Sequence, residues 1–566
     1  MHRRAPLYPT VLLAAALAAA ACGGPAAPAG TPAPAAPATA APAPTAALPV
    51  AGPLPAGWQN DAVCYQVFVR SFYDSDGDGI GDLNGLIQKL DYINDGKPET
   101  RTDLGATCIY MMPIMAAPSY HGYDTTDYYA VNPQYGTNDD FRRLVAEAHR
   151  RGVAVVLDLV LNHTSNQHPW FQAALNDPNS PYRDWYIFSP TDPGYRGPFN
   201  GNVVWHKSPV RDEYYYGLFS AEQPDLNYRT PAVTAEARKI SAFWLAQMGA
   251  DGFRLDAIKH LVEDGQVQQD TPETHAWLRE YNAWLKGAAP NALTIGEIFD
   301  AGPTLLASYY PDQLDMYFNF GMADGIRRAA TIGRAGAFTQ AAQAAEAGIP
   351  AQRAAPFITN HDQNRAMSYF GDVDKAKVAA TALLTLPGLP FVYYGEEIGM
   401  RGEKPDPNIR TPMQWTGDAR GFTSGTPWEP LQPDAAQVNV AAQDGDAGSL
   451  LNHYRRLIQL HTAHPALAHG DYTPLESGNR SVAAFVRQAP EETALVVINF
   501  GPAAADGVTL AAAKTGLASG AYALEPLLGE AAAGPLSVGA GGAISGAALP
   551  SIPARTGLVF RLSPRP

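Results

Sequence analysis

A chain of 566 residues, 46% of them hydrophobic, can build a large core and is too long for one compact domain. Its net charge of -15 argues against a nucleic-acid partner. Aromatic residues make up 10%, with 27 Tyr and 9 Trp, which is compatible with a sugar-binding surface but does not show one.

Met1-His2-Arg3-Arg4, then Val11-Leu12-Leu13-Ala14 and an Ala-rich run, has the layout of a secretory signal. It ends in Ala19-Ala20-Ala21-Cys22-Gly23, which resembles a bacterial lipoprotein signal with Cys22 as the lipidated N-terminus. The apolar stretch is too short for a membrane-spanning helix. An ordinary cleaved signal with an incidental cysteine is the alternative. Residues 1–22 are thus expected to be a signal peptide. Residues 23–56, mostly Ala, Pro, Gly and Thr, are expected to be a semi-stiff linker. The expected location is exported and lipid-anchored to the bacterial cell envelope, or else secreted. The expected assembly is a monomer.

Ala62–Val69 is a buried strand by composition. Cys64 in it and Cys108 further on sit in apolar runs and are read as buried thiols. An exported location would permit a disulfide, but the sequence supplies no geometry for one. Asp74-Ser75-Asp76-Gly77-Asp78-Gly79-Ile80-Gly81-Asp82 alternates carboxylates like the first half of an EF-hand loop. Gly85 stands where the bidentate Glu would be, so it is no true EF-hand. Hard oxygen ligands at this density favour Ca²⁺, held by Asp74, Asp76, Asp78, the Ile80 carbonyl and Asp82. An acidic solvated turn is the plain alternative.

Apolar runs then alternate with amphipathic helices. Thr107–Met112 is strand-like. A helix with Asn138 as N-cap and Gly152 as its stop leads to the strand Val153–Asp158. Ala232–Gly249 is an amphipathic helix before Gly252-Phe253-Arg254-Leu255-Asp256. A helix opening at Thr271-Pro272 leads to Leu293–Glu297, and Lys375–Leu386 leads to Pro390–Tyr394. Seven or eight such units predict an α/β fold, a (β/α)₈ TIM barrel over about 57–467 with its chemistry at the strand C-termini. An inserted domain after strand 3, about 163–225, fills a gap too long for a loop. Short alternating runs over 468–566 predict a C-terminal antiparallel β-sandwich.

Three carboxylates stand at or just beyond strand ends: Asp256, Glu297 and Asp362. A retaining glycosidase needs an ionised nucleophile and a protonated acid about 5–5.5 Å apart. Arg254, two residues before Asp256 on the same strand face, would keep Asp256 charged, while nearby negative charge would raise Glu297.

Asp158–His163, Gly252–His260, Gly296–Ile298 and Phe357–Asp362 resemble the four sequence regions of the α-amylase family, glycoside hydrolase family 13. Gly105–Ile114 and Gly388–Glu397 fit two further regions, all in order from about Trp58 to His464. The resemblance implies Asp256 as nucleophile, Glu297 as general acid/base and Asp362 as transition-state stabiliser. It implies His121, Tyr123, His163, Arg254, His361 and Arg365 as contacts to the sugar at the cleavage point. Lys259 and His260 would reach sugars beyond it. The loop at Asp74–Asp82 resembles a calcium site of oligo-1,6-glucosidase-like members. Asn162 and the His260 carbonyl match ligands of a second calcium site whose inserted-domain carboxylate the sequence does not reveal.

Gln223-Pro224-Asp225-Leu226-Asn227 resembles the oligo-1,6-glucosidase subfamily, and Lys259-His260 resembles endo-acting α-amylases. With the lipoprotein-like leader, the combination resembles a subfamily intermediate between oligo-1,6-glucosidase and neopullulanase types. The expected activity is endo-cleavage of α-1,4 bonds in starch, glycogen and maltooligosaccharides. The alternatives are an exo-acting α-glucosidase or oligo-1,6-glucosidase, a trehalose-forming transglycosylase, and an inactive surface starch-binding protein.

Overall fold

The computed structural model describes residues 54–530 and 534–565. The leader, Cys22 and all but the last residues of the expected linker lie outside them. Eight parallel strands form one sheet: β1 (Cys64–Val67), β2 (Cys108–Met111), β3 (Ala154–Leu159), β4 (Gly252–Leu255), β5 (Leu293–Gly296), β6 (Met316–Phe318), β7 (Ala354–Ala355) and β8 (Phe391–Tyr393). Their order is β7-β6-β5-β4-β3-β2-β1-β8, and a bridge from Phe357 to Phe391 closes the ring.

Apart from Gln66, Asp158, Arg254 and Thr294 the strand runs are apolar, because both strand faces are buried. Cys64, Tyr110, Val156, Ile295, Met316 and Phe318 fill the barrel interior, whereas the alternate residues Tyr65, Ile109, Val155, Leu157 and Phe253 pack outward in the large core. Cys64 and Cys108 are register partners on adjacent strands, with Cα atoms 4.3 Å apart, and they form a disulfide. This corrects the expectation of two free thiols. The register that brings them together depends on strand pairing, which spacing along the chain does not encode.

The helix expected to be capped by Asn138 is capped one residue earlier, by Thr137. Thr137 accepts from the Asp140 amide while the Asp140 side chain accepts from Thr137, and the helix runs Asn138–Arg150. Thr271 caps Pro272–Ala288, and Ser449 caps Leu450–Ala463. The chain leaves the barrel after β3 and returns where His163 bridges Asp225. In between lie the helix Pro169–Asn176 and a three-stranded sheet around Tyr214–Tyr216.

Beyond the barrel, a six-stranded antiparallel sheet includes Val482–Gln488 and Thr493–Asn499. One of its faces, with Phe485, Val496 and Ile498, joins the barrel core. The other, with Val486, Leu495 and Val497, packs with Leu510 and Ile544 from a two-stranded ladder. The second layer of the expected sandwich is therefore only two strands wide.

Candidate functional site

Strand geometry gathers the strand-end charges. Asp158 of β3 and Arg254 of β4 are register partners, so their side chains share one end of the barrel. Arg254 is fully buried. Its Nη1 donates to Asp158 Oδ1 at 2.8 Å and to Asp256 Oδ1 at 2.6 Å, and its Nη2 lies 2.8 Å from Glu297 Oε2. One guanidinium thus contacts three carboxylates from three successive strands. Asp256 and Glu297 each follow the last residue of their strand. A Cβ at Gly296 would come within 2.5 Å of the Tyr317 ring, so β5 passes its neighbour closely just before Glu297. Ala257, directly after Asp256, takes a left-handed conformation with φ 48°, uncommon for a residue with a Cβ.

Opposite stands Asp362. Its Oδ1 accepts from Arg410 Nη2 at 2.9 Å, and its Oδ2 lies 3.1 Å from His361 Nε2. Arg410 also donates through Nε to the His361 carbonyl at 3.0 Å. The His361 ring is clamped between Gln66 (2.8 Å) and the Tyr123 hydroxyl (2.5 Å), and the Tyr123 ring lies parallel to it at 5.6 Å. Tyr123 also donates to Asp158 Oδ2 at 2.9 Å. Sequence reasoning missed both Arg410 and the role of Asp158. Arg410 comes from a distant loop, and its place beside Asp362 has no signal in local spacing. Asp158 was visible in its motif without a function attached.

A cleft of about 380 Å³ opens over these groups, lined by His121, Tyr123, His163, Asp256, Lys259, His260, Glu297, Asp362 and Arg410, among others. Arg365, expected as a sugar contact, is not among them. It is buried, donates to the Tyr394 carbonyl at 2.7 Å and stacks over the rings of Tyr393 and Tyr394. The chain turns into a short helix at Ala366, which sends Arg365 inward, and Arg410 presents the guanidinium on that wall instead. Lys259 Nζ donates to the Phe299 carbonyl at 3.2 Å, and His260 Nδ1 meets the Gln268 carbonyl at 2.8 Å. His163 Nε2 faces the Tyr123 carbonyl at 2.9 Å, with the Gln223 amide 3.0 Å from the same nitrogen. Burial lowers both His163 and His260 to about 4, so each is neutral at pH 7.

The carboxylates differ in charge. Burial alone would raise Asp362, but His361, Arg410 and Arg254 outweigh it and hold the group far below the usual carboxylate range. Burial raises Glu297; Arg254 and His361 oppose the rise, while Asp362 and Asp158 add to it. Burial, with Glu297 and Asp158, raises Asp256 well above the usual carboxylate range against the pull of Arg254. Arg254 donates to Asp256 in line, whereas its 2.8 Å approach to Glu297 lacks the alignment of a hydrogen bond. The in-line hydrogen bond from Arg254 favours the ionised form of Asp256 more than the misaligned contact favours that of Glu297, and so works against the strong rise that burial imposes on Asp256.

Two regions offer hard oxygen ligands. Asp74, Asp76 and Asp78 bring carboxylate oxygens within 4.8 Å of one another. Burial would raise Asp74, yet hydrogen bonds from Thr423 and from the Gly77, Gly79 and Asp76 amides bring it below its ordinary value. Such a set fits a calcium ion. Asp82, expected as a fourth carboxylate ligand, stands outside this trio. It caps the helix Leu83–Gln88 and accepts from Ser75 and Gly85. The loop is knit to residues 422–428, and Trp428 there stacks on Tyr120 at 5.4 Å, next to His121 in the cleft. In the second region Asn162 donates to Asp225 Oδ2 at 3.1 Å, and Asn162 Oδ1 is buried without a partner. Asp225 is buried and raised by that burial and by Glu263. An orphaned amide oxygen on a residue bound to a buried carboxylate fits a cation, and Asp225 is the inserted-domain carboxylate that would share in holding it.

A closed eight-stranded α/β barrel with paired carboxylates over the C-terminal ends of its strands defines a glycoside-cleaving enzyme. The family described as alpha amylase, catalytic domain, matches residues 66–470. Alpha-amylase 3 of Dictyoglomus thermophilum is 39% identical over 449 residues, covering 78% of this chain and 85% of that protein. Oligo-1,6-glucosidase of Parageobacillus thermoglucosidasius is 33% identical over 521 residues, covering 78% and 90%. The crystal structure of alpha-amylase from H. orenii superposes with a TM-score of 0.77 at 39% identity, over 89% of this chain and 99% of that one. The chain belongs to the α-amylase family of glycoside hydrolases, whose members work by double displacement with retention.

Proposed function

We propose that this enzyme is an endo-acting α-amylase that cleaves α-1,4-glucosidic bonds in starch, glycogen and maltooligosaccharides. Asp256 attacks the anomeric carbon and forms a glycosyl ester, while Glu297 gives its proton to the departing oxygen. Glu297, now a base, takes a proton from water, whose oxygen attacks the same carbon and releases Asp256. Asp362, His361, His121, Tyr123 and His163 hold the sugar undergoing cleavage, and Arg254 keeps Asp256 ionised. The observation that carries the reading is the single buried Arg254 aligned on Asp256 and misaligned on Glu297, with Asp362 facing them across the cleft. Endo-action is supported by Lys259 and His260, which line the cleft beside Glu297. Calcium at Asp74, Asp76 and Asp78, and at Asn162 with Asp225, would brace the cleft without touching the reacting bond. In the cell the enzyme is exported and tethered through Cys22, where it meets polymers too large to enter.

A product time course tests this, on maltoheptaose and soluble starch with protein lacking residues 1–56. Endo-action gives early maltotriose and maltotetraose with a rapid fall in starch viscosity. Glucose alone from the first minutes would refute it in favour of exo-action, the alternative suggested by the resemblance of Gln223–Asn227 to the oligo-1,6-glucosidase subfamily. No products at all would leave a starch-binding protein.

A further inference from the structure

Phe199 is 37% exposed in a cleft whose other wall is polar, with Lys404, Asp406 and Arg410. A single exposed ring is ordinary on a protein surface. This one is held by a turn, four hydrogen bonds around it and two aromatic contacts. Phe199-Asn200-Gly201-Asn202 is a tight turn with φ of 54° at Asn200 and 73° at Gly201, the pairing that closes a two-residue hairpin. The Asn202 amide donates to the Phe199 carbonyl at 3.2 Å, and the Asn202 side chain accepts from the Phe199 amide at 3.2 Å. The same side chain donates to the Leu218 carbonyl at 2.6 Å, fixing the turn to the inserted domain. From the barrel, Gln268 donates to the Arg196 carbonyl at 3.2 Å. The Phe199 ring stacks on Phe219 at 5.3 Å and meets His260 edge-on at 5.6 Å.

The position matters as much as the rigidity. Glu297 and Phe299, two residues apart on one strand end, join Lys259 and His260 through the Lys259–Phe299 hydrogen bond, and Phe199 adjoins this group in the cleft lining through His260. An acid that protonates a departing oxygen faces the leaving group, so this group receives the released part of the chain. A sugar ring presents a face of C–H groups that packs on an aromatic face.

We propose that the 196–203 hairpin displays Phe199 as a stacking platform for a glucose unit on the leaving-group side, and that this platform sets the preference for longer glucan chains. The proposal rests on the amylase reading above. The platform is prepaid in entropy, since the turn is fixed before substrate arrives.

The test compares two substrates. α-Glucosyl fluoride has a leaving group too small to reach the platform, and maltoheptaose extends across it. The ratio of kcat/KM for maltoheptaose to kcat/KM for α-glucosyl fluoride is measured for wild type, Phe199→Ala and Phe199→Trp. The ratio is expected to fall about tenfold in Phe199→Ala and to return in Phe199→Trp. An unchanged ratio in Phe199→Ala, including an equal loss on both substrates, overturns the proposal. So does a loss that Phe199→Trp fails to restore. Wild type that releases fluoride but leaves maltoheptaose uncut would refute the amylase reading alone. Maltose then takes the place of maltoheptaose, and the same ratio decides the platform.

Discussion

Replacing Arg254 by Met removes a charge while keeping a flexible side chain of similar length. Asp158, Asp256 and Glu297 would then share a buried pocket without the cation that contacts all three. Arg254 and Asp158 are both fully buried, so solvent screening does not soften the loss. Removing one partner of a buried ion pair costs about 3–5 kcal/mol, and the upper end is expected because two hydrogen-bonded acceptors are stranded. The tyrosine hydroxyls of Tyr110 and Tyr123 still donate to Asp158, which keeps the site from collapsing. Asp256 and Glu297, already raised by burial, lose the cation that opposes the rise, so their folded pKa values lie still further above the unfolded ones. Their stabilising effect is then complete below the unfolded carboxylate pKa, about 4, and is lost as pH rises through the folded values. Urea denaturation at pH 5 and pH 8 should show a larger deficit at pH 8, and starch hydrolysis should fall by at least a hundredfold. A loss below about 1 kcal/mol at both pH values, with the pH–activity profile unmoved, would refute the role assigned to this arginine.

Chelation with excess EDTA should lower Tm by roughly 2–5 °C, because an ion held at the proposed calcium sites would bind only the folded loops; an unchanged Tm would argue against both metal sites. Replacing Cys64 and Cys108 by serine opens a loop of 44 residues and should cost about 4 kcal/mol in urea denaturation. A change under about 1 kcal/mol would mean the crosslink adds nothing to the barrel. Burial raises Glu396 to about 8, against hydrogen bonds from Tyr454 and Thr359. Its folded pKa lies above the unfolded one, so its contribution is complete below about pH 4.5 and is lost as pH rises through about 8. Glu396→Gln should therefore flatten the decline in urea stability between pH 5 and pH 8, and an equally steep decline would refute that origin.

The legible parts of the molecule were those carried by local pattern. Six of the eight barrel strands stood out as apolar runs, and β4 and β5 announced their chemistry by ending in a carboxylate. β6 and β7 are three and two residues long, and no apolar run with a helix before it marked them out, as Pro390–Tyr394 after Lys375–Leu386 marked β8. What escaped was long-range pairing. Asp225 lies 63 residues from Asn162, and Arg410 lies 48 from Asp362. The partners Cys64 and Cys108 meet only because two strands align in one register. Arg365 misled for the complementary reason, since its motif is right but the following helix turns its side chain away from the cleft.

The most direct test of the central claim is to trap the covalent intermediate. In Glu297→Gln the acid/base is absent, and α-maltotriosyl fluoride carries a leaving group that departs without protonation, so the glycosyl ester should form faster than water removes it. Peptide mass analysis after rapid acid quench should show the sugar on the peptide containing Asp256. Label on Asp362 instead, or unlabelled protein that still turns over the fluoride with retention, would contradict the assignment of Asp256 as nucleophile.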